Sequence, residues 1–575
     1  SSLAILDYVP GPTLLSSRGP WRVAAMLGKA SIASLARRSH RSFSMLGHVS
    51  SHVAPGTAAF IPPGAAPVDT PRQSPRFRDV SRTEGATGFP NVNARYRPDE
   101  HLPLPSLPEP APAAGAAPAH WQEAWSDADL QSAAEDHVML TWGPSSPVKD
   151  LPRITRAEGV YLFDGQGNKY LDWTSQAICC NFGHDVPEAV LQAVVKQMQD
   201  VPYVYSGLGM VPARARLAKL LAELLPGDIN GFLFPCGGAE ANEAAVRIAR
   251  RYTGRQKILT QYRSYHGGTA QTLGATGDFR RWFTESTVNG FVKIFNPQPM
   301  GFSWGNTDAE ATKLALQALE EQILLEGPSS VAAVMLESIV GAGGVLVPPT
   351  GYVEGVRALC DKYGILLILD EVMAGFGRTG ELWAFQHFEN VVPDIVTSAK
   401  GLTGAFLPMS MVGVREPIKR WFQDQPLGWG ATYHAHPVAL ACAYECVKFT
   451  VSERLPEKAK ELQQTMMEEI QTLVERHVSV KQGRAIGLFG CIDLQGLDGR
   501  AIQQLGTPSP PALADFRKAM AANGLMGLVR PPLLHCCPPL VITEPQLRDG
   551  FQRLSKALEQ LDASLLAAGA QPTHA

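Results

Sequence analysis

The stretch Ile365-Leu-Leu-Ile-Leu-Asp370-Glu371-Val-Met-Ala-Gly-Phe-Gly-Arg378-Thr-Gly380 decides how this chain is read. An unbroken aliphatic run is the pattern of a central strand covered on both faces, and it ends in two adjacent acids. An unpaired carboxylate there would cost several kcal/mol, so a partner is required. The flanking segments supply the context. Residues 331–340 read as a strand, 352–364 as an amphipathic helix and 394–399 as another strand, and upstream 213–224 and 239–254 read as helices with strands at 231–236 and 257–262. Strand and helix alternating over this length predict an α/β unit with a mostly parallel sheet flanked by helices. In such a sheet ligands gather beyond the carboxyl ends of the strands, where Asp370 lies.

Thirty residues on, Ile395-Val-Thr-Ser-Ala-Lys400 ends a second apolar strand in an amine that the same geometry carries to the same edge. An amine in a dry pocket loses basicity and becomes a nucleophile toward an aldehyde. The turn Cys236-Gly237-Gly238-Ala239 leads from a strand into a helix, whose backbone N–H groups suit a phosphate dianion. Acid, lysine and phosphate cradle together are what pyridoxal 5'-phosphate asks of a protein: a carboxylate to keep the ring nitrogen protonated, an amine to hold the aldehyde and move a proton. Each motif alone has an ordinary reading, as a helix cap, a solvent-facing lysine or a turn. Their joint order carries the argument.

Five segments in order, GGAEANEAAVRIARRYTGR (237–255), YRSYHGGT (262–269), LDEVMAGFGRTG (369–380), TSAKGLTGAFLPM (397–409) and ATYHAHP (431–437), resemble the class III aminotransferases of the fold-type-I pyridoxal phosphate group. GGAEAN, with GLMGLVR (524–530) and CCPPLVIT (536–543), is similar to the branch holding taurine–pyruvate and ω-amine transaminases. The resemblance spans about residues 135–560. It implies a large domain with a seven-stranded, mostly parallel sheet, a smaller α+β domain, and a homodimer with shared active sites.

Position by position, it implies that Lys400 bonds the cofactor, Asp370 meets its ring nitrogen, and Val372 and Tyr265 pack on the ring's two faces with His266 alongside. Gly238 and Ala239 would offer phosphate-binding amides, Thr432 would donate to the phosphate of the neighbouring subunit, and Glu240 matches the family's acid after the glycine turn. Arg530 resembles the arginine that meets a keto-acid carboxylate, and Ile178 and Tyr205 would line the amine pocket. The chain departs from the family at Ala239, where a hydroxyl is common, at Val340, where a glutamine is, and at His434-Ala435, where a small Ser-Gly pair is.

The implied reaction moves an amino group from an ω-amino acid or amine to a keto acid such as pyruvate or glyoxylate. Two other readings are a catalytically silent subunit of an organelle complex, suggested by the altered phosphate loop and long extension, and a racemase or aminomutase.

The remaining sequence narrows the field. The 575 residues are 45% hydrophobic with net charge −3, which gives no electrostatic reason to expect nucleic acid or an anionic membrane. No apolar run reaches about eighteen residues. Nine cysteines lie singly or as adjacent pairs, without a CxxC cluster, and read as reduced thiols with no metal assigned.

Residues 1–78 hold two acids, Asp7 and Asp69, against nine Lys or Arg. Residues 1–50 read as a mitochondrial transit peptide, with a chloroplast address as the alternative and Met26 as the candidate start. Residues 51–120 are too rich in Pro and Ala to bury a core and read as a disordered linker. The folded part is then expected to divide into 121–190 (small domain), 191–445 (large, cofactor-binding) and 446–575 (small domain again).

Overall fold

A computed structural model of the chain describes residues 124–569, apart from 143–144, 146–149, 284–288 and 505–506. The expected leader and linker lie outside the described residues. A seven-stranded sheet runs in the order Ile229–Leu233, Met411–Arg415, Ile395–Ser398, Leu366–Asp370, Val331–Glu337, Lys257–Gln261, Phe291–Ile294. All pairings are parallel except those of Met411–Arg415, which is antiparallel to both neighbours.

Side chains alternate between two apolar layers, as a period of two requires. Leu367 and Leu369 face one cluster with helices Pro212–Leu224, Asp308–Glu326 and Tyr352–Tyr363, and Ile368 faces the other with helix Gly238–Thr253. That last helix covers the sheet through alanines at 241, 244, 245 and 249, small enough for close approach. It stops at Gly254, whose φ of +69° is the left-handed conformation a helix end favours.

Among the described residues, two four-stranded sheets accompany the seven-stranded one. One joins Ile154–Glu158, Tyr161–Asp164, Lys169–Asp172 and Leu525–Met526; the other joins Val480–Ile486, Phe489–Leu494, Leu533–Cys536 and Val529–Arg530. Residues 483–494 read as one strand in the sequence, but fold as the two arms of a hairpin. The apolar run continues across the turn and hides it. Gly487 sits there with φ +58°, so close to Thr379 that a Cβ would fall 2.4 Å from its carbonyl carbon.

Side chains from 160–190 and from 442–561 share a further apolar cluster. The divisions expected at 190/191 and 445/446 fall inside helices Glu188–Asp200 and Pro437–Ser452. On the second helix Cys442 and Cys446 pack into this cluster while Leu440 and Val447 pack against the large sheet.

Arg378, the arginine of the opening stretch, is fully buried. Its guanidinium donates to the carbonyls of Leu488 (3.1 Å) and Pro538 (2.5 Å), to Ser175 Oγ (3.1 Å) and to Asn181 Oδ1 (3.0 Å). Burial lowers its pKa to about 10. One side chain thus ties the loop after the central strand to four acceptors in three distant segments.

Candidate active site

Parallel register sets Glu337, Asp370 and Thr397 side by side at the carboxyl ends of adjacent strands. Asp370 is 3% exposed. Its Oδ2 accepts from Asn242 Nδ2 and pairs with His266 Nδ1, both at 2.8 Å, while its Oδ1 accepts the Val372 N–H at 2.9 Å. The acid therefore already has partners within the protein, where the sequence left it looking for one. Asn242 comes from the helix after the glycine turn and His266 from the loop after Lys257–Gln261, contacts that no local pattern announces. Thr397 Oγ1 fixes the amide of Asn242 by donating to its Oδ1 (2.7 Å). His266 Nε2 is buried and has no hydrogen-bond partner among the described residues.

The second acid turns the other way. Glu371 accepts from the Ser338 hydroxyl and from the N–H groups of Ala384 (2.7 Å) and Phe385 (3.0 Å), and burial raises its pKa to about 7. Glu337 is held alike: its two oxygens accept the N–H groups of Tyr265 and Gly341, each at 2.8 Å, and burial again lifts it to about 7.

Lys400 follows strand Ile395–Ser398 in a short helical turn with φ +40°, an unusual backbone for a residue with a side chain. Among the described residues its amine makes no hydrogen bond or ion pair. Burial lowers its pKa; Cys179 opposes that shift, Arg530 adds to it, and Asp370 and Glu337 oppose it. Lys400 and Asp370 are therefore electrostatic neighbours, as the sequence reading requires. Cys179 in turn is pulled down to about 6, chiefly by a hydrogen bond with Cys180 and in part by Lys400.

Helix Gly238–Thr253 starts without a side-chain cap, leaving its first N–H groups for a ligand. Glu240 reaches back to the Cys236 N–H at 2.9 Å. A Cβ on Gly238 would lie 2.8 Å from Val372 Cγ1, so glycine is required for Val372 to pack against this turn, and Ala239 lies against Gly267 on its other side. The alanine supplies no hydroxyl, so anion binding here falls to backbone amides.

Tyr265 carries the Arg280 guanidinium 3.6 Å from its ring centroid and Trp142 edge-on at 5.8 Å. Arg280 is fixed by Asp278 through two bonds of 2.9 and 3.0 Å. Burial raises the pKa of the Tyr265 phenol, with the charges of Arg280 and Arg530 opposing. Arg530, on strand Val529–Arg530, makes no hydrogen bond or ion pair through its guanidinium among the described residues, and burial lowers its pKa.

The remaining expected positions separate from this cluster. Ile178 is 2% exposed and packs with Ile339, Val345 and Phe489; its neighbour Cys179 is the group that acts on Lys400. Tyr205 and Thr432 are exposed on the single chain, and the Thr432 carbonyl accepts from the Tyr203 hydroxyl (2.6 Å). No described contact joins either to Lys400. The unusual His434-Ala435 pair is built in: His434 Nε2 accepts the Phe234 N–H (3.1 Å), Ala435 N–H returns to the Phe234 carbonyl (2.7 Å), and burial holds His434 near a pKa of about 4, hence neutral. Val340 is buried in a bridge to Leu346.

The sequence reading missed Asn242, Glu337, Arg280 and Trp142. For the first, the Asn in GGAEAN one helical turn past the glycines was the available signal; for Arg280, it was the arginine and aromatic density of FRRWF (279–283).

An uncapped helix N-terminus, a weakened free amine, a buried carboxylate with its histidine partner and an unpartnered His266 nitrogen at adjoining strand ends fit a phosphorylated pyridine aldehyde. Comparison with known proteins agrees. The profile of the family described as Aminotransferase class-III matches residues 145–558. The putrescine–pyruvate aminotransferase of Pseudomonas aeruginosa is 33% identical over 431 residues, covering 72% of this chain and 92% of that enzyme. A taurine–pyruvate aminotransferase of Bilophila wadsworthia is 32% identical over 429 residues, 71% of this chain and 92% of its own length. Among solved structures, the taurine:2-oxoglutarate aminotransferase of Bifidobacterium kashiwanohense, in complex with PLP and glutamate, superposes with a TM-score of 0.72 at 37% identity, covering 77% of this chain and all of the other.

Proposed function

Because this chain belongs to the class III aminotransferases, and so carries out pyridoxal 5'-phosphate-dependent transamination, we propose that it moves the amino group of an ω-amino acid or amine to a small keto acid, pyruvate or glyoxylate. The observation that carries this reading is the pairing of a free, weakly basic Lys400 amine with an unpaired Arg530 guanidinium in one electrostatic neighbourhood.

When bound, the cofactor supplies an aldehyde to carry the amino group and a ring that withdraws electrons from the donor carbon. The N-terminus of helix Gly238–Thr253 would hold its phosphate, Asp370 would face its ring nitrogen, and Val372 and Tyr265 would pack on its faces. Asn242 and His266 keep the Asp370 carboxylate oriented. Glu337 fixes the Tyr265 backbone. Lys400, less basic through burial, would hold the cofactor's aldehyde and, once displaced by the incoming amine, would carry the donor carbon's proton on its Nζ. Arg530 offers a planar fork to a keto-acid carboxylate and so orients the acceptor.

The proposal extends to assembly and address. Leu208 (86% exposed), Met210 (69%) and Tyr433 (61%) form part of an apolar surface around the loops of Tyr205 and Thr432, which supports a homodimer in which those residues complete the neighbour's site. The basic, acid-poor first 50 residues support mitochondrial import, with a chloroplast as the alternative; a fluorescent fusion of residues 1–120 that stays diffuse would refute both.

The test of function is a half-reaction. The holoenzyme, mixed with single amines, should convert its cofactor absorbance fastest with ω-amino acids or diamines, and pyruvate or glyoxylate should restore it. Recovery only with 2-oxoglutarate would overturn the acceptor assignment. Borohydride should fix the cofactor on the peptide containing Lys400.

A further inference from the structure

The end of strand Lys169–Asp172 meets the turn after Ser175–Ile178 at a cluster that transamination does not use. Asp172, Cys180 and His184 place a carboxylate oxygen, a thiol sulfur and a ring nitrogen all within 4.8 Å of one another. Asp172 is fully buried and His184 nearly so, its side chain 11% exposed, with His184 Nε2 3.1 Å from Asp172 Oδ2. The other carboxylate oxygen, Oδ1, accepts the N–H groups of Gln176 (2.9 Å) and Thr174 (3.3 Å), which orients the group and leaves Oδ2 for the histidine side. The partners are pinned by backbone as well: the Cys180 N–H donates to the Ser175 carbonyl (3.1 Å) and the His184 N–H to the Gly159 carbonyl (2.7 Å). Three donors converge from a strand end and a turn, each oriented by bonds of its own.

We propose that Asp172, Cys180 and His184 form a binding site for one thiophilic divalent cation, with Zn²⁺ as the natural occupant. The donor set decides the metal class. Thiolate, imidazole and carboxylate together suit a borderline-soft ion, while magnesium and calcium prefer all-oxygen shells. Three protein ligands with a fourth position for water is a common zinc arrangement. The bonds from the Thr174 and Gln176 amides play the part that outer-shell partners play for ligating carboxylates. Cys180 and His184 keep a small residual exposure, which gives the ion its entrance. On binding, the Cys180 S–H bond is exchanged for a sulfur–metal bond and the proton leaves to the solvent, with no change of oxidation state. The ion would clamp the strand end to a turn strained at Ser175, Gln176 and Ile178, all at positive φ, one residue from the Cys179 sulfur that acts on Lys400.

The holoenzyme, stripped with a chelator and dialysed against Zn²⁺ without amino substrates, should retain one equivalent per chain by elemental analysis. Cys180→Ser should bind at least about 100-fold more weakly, beyond the about 10–100-fold that loss of an outer-shell partner costs, and Cys236→Ser should bind as the parent does. In the unmutated protein Zn²⁺ should slow alkylation of Cys180 at least about tenfold, read by mass spectrometry of the labelled peptide, and leave Cys236 unaffected. If the serine variant does not fold, the alkylation result decides. Equal zinc retention by Cys180→Ser, or an unchanged alkylation rate at Cys180, overturns the site.

Discussion

Lys400 occupies a left-handed backbone conformation that costs an L-residue roughly 1–3 kcal/mol, strain that surrounding packing must hold in place. That strain aims an unpaired amine at the edge where Asp370 lies, which is an arrangement for chemistry and not for stability. Lys400→Ala should reduce turnover by about 10²–10⁴-fold, the usual weight of a positioned proton carrier, with the circular dichroism unchanged. Retained turnover would remove the lysine from the mechanism. Arg530→Ala should raise the KM for the keto acid about 100-fold, through the loss of charge-assisted hydrogen bonds worth about 1.5–3 kcal/mol each, and leave the half-reaction with an amine that lacks a carboxylate nearly unchanged. Equal losses in both half-reactions would make Arg530 structural. Lys400 and Asp370 were legible in the sequence because each closes an apolar strand, a local pattern. The His266–Asp370 and Asn242–Asp370 bonds were not, since they join residues 104 and 128 positions apart and depend on how the sheet is assembled. Arg280, stacked on Tyr265 only fifteen positions away, escaped because the arginine-rich aromatic stretch 279–283 was not weighed.

At the scale of elements, the loop from Asp370 to Gly380 is welded at both ends, by Glu371 beneath the strand and by Arg378 into the neighbouring segments. Burial raises the Glu371 carboxyl to about 7 in the folded protein, against an ordinary 4.5. A carboxyl raised on folding binds its proton more tightly in the native state, so its contribution is full below about pH 4.5 and is lost as pH rises through about 7, by roughly 3 kcal/mol at most. His434 and His535, both lowered to about 4, act in the opposite sense over much of the same range, so the comparison must be between variants. Glu371→Gln should destabilise the protein more at pH 5 than at pH 8, measured by urea unfolding at each pH. A gap that widens toward pH 8 would contradict the raised pKa. Arg378→Ala should cost about 3–5 kcal/mol by leaving four buried acceptors without a donor, seen as a lower urea midpoint. Most elements could be read from periodicity. The exceptions include the hairpin Val480–Leu494, concealed by an apolar run that crosses its turn, strand Phe291–Ile294 and helix Asp308–Glu326, which were not read at all, and Met411–Arg415, whose antiparallel direction depends on its partners.

At the scale of the whole molecule, the exposed Leu208, Met210 and Tyr433 predict association. The 575-residue chain should run in light scattering at about twice its 62.0 kDa, and Leu208→Asp should shift it toward the monomer and reduce activity together. An active monomer would show that each chain completes its own site. The α/β class was evident from alternation, and the sequence reading already put 121–190 with 446–575 in one smaller domain; which side chains of 160–190 and 442–561 share its core came only with the strand pairing. That sharing has a consequence for biosynthesis. The Ser175 hydroxyl bonds to the Cys537 carbonyl, 362 positions along the chain, and Leu171 pairs with Leu525. The apolar faces of 160–190 therefore leave the ribosome uncovered and stay so until the last stretch of the chain emerges to close over them, a long interval of exposed hydrophobic surface during synthesis.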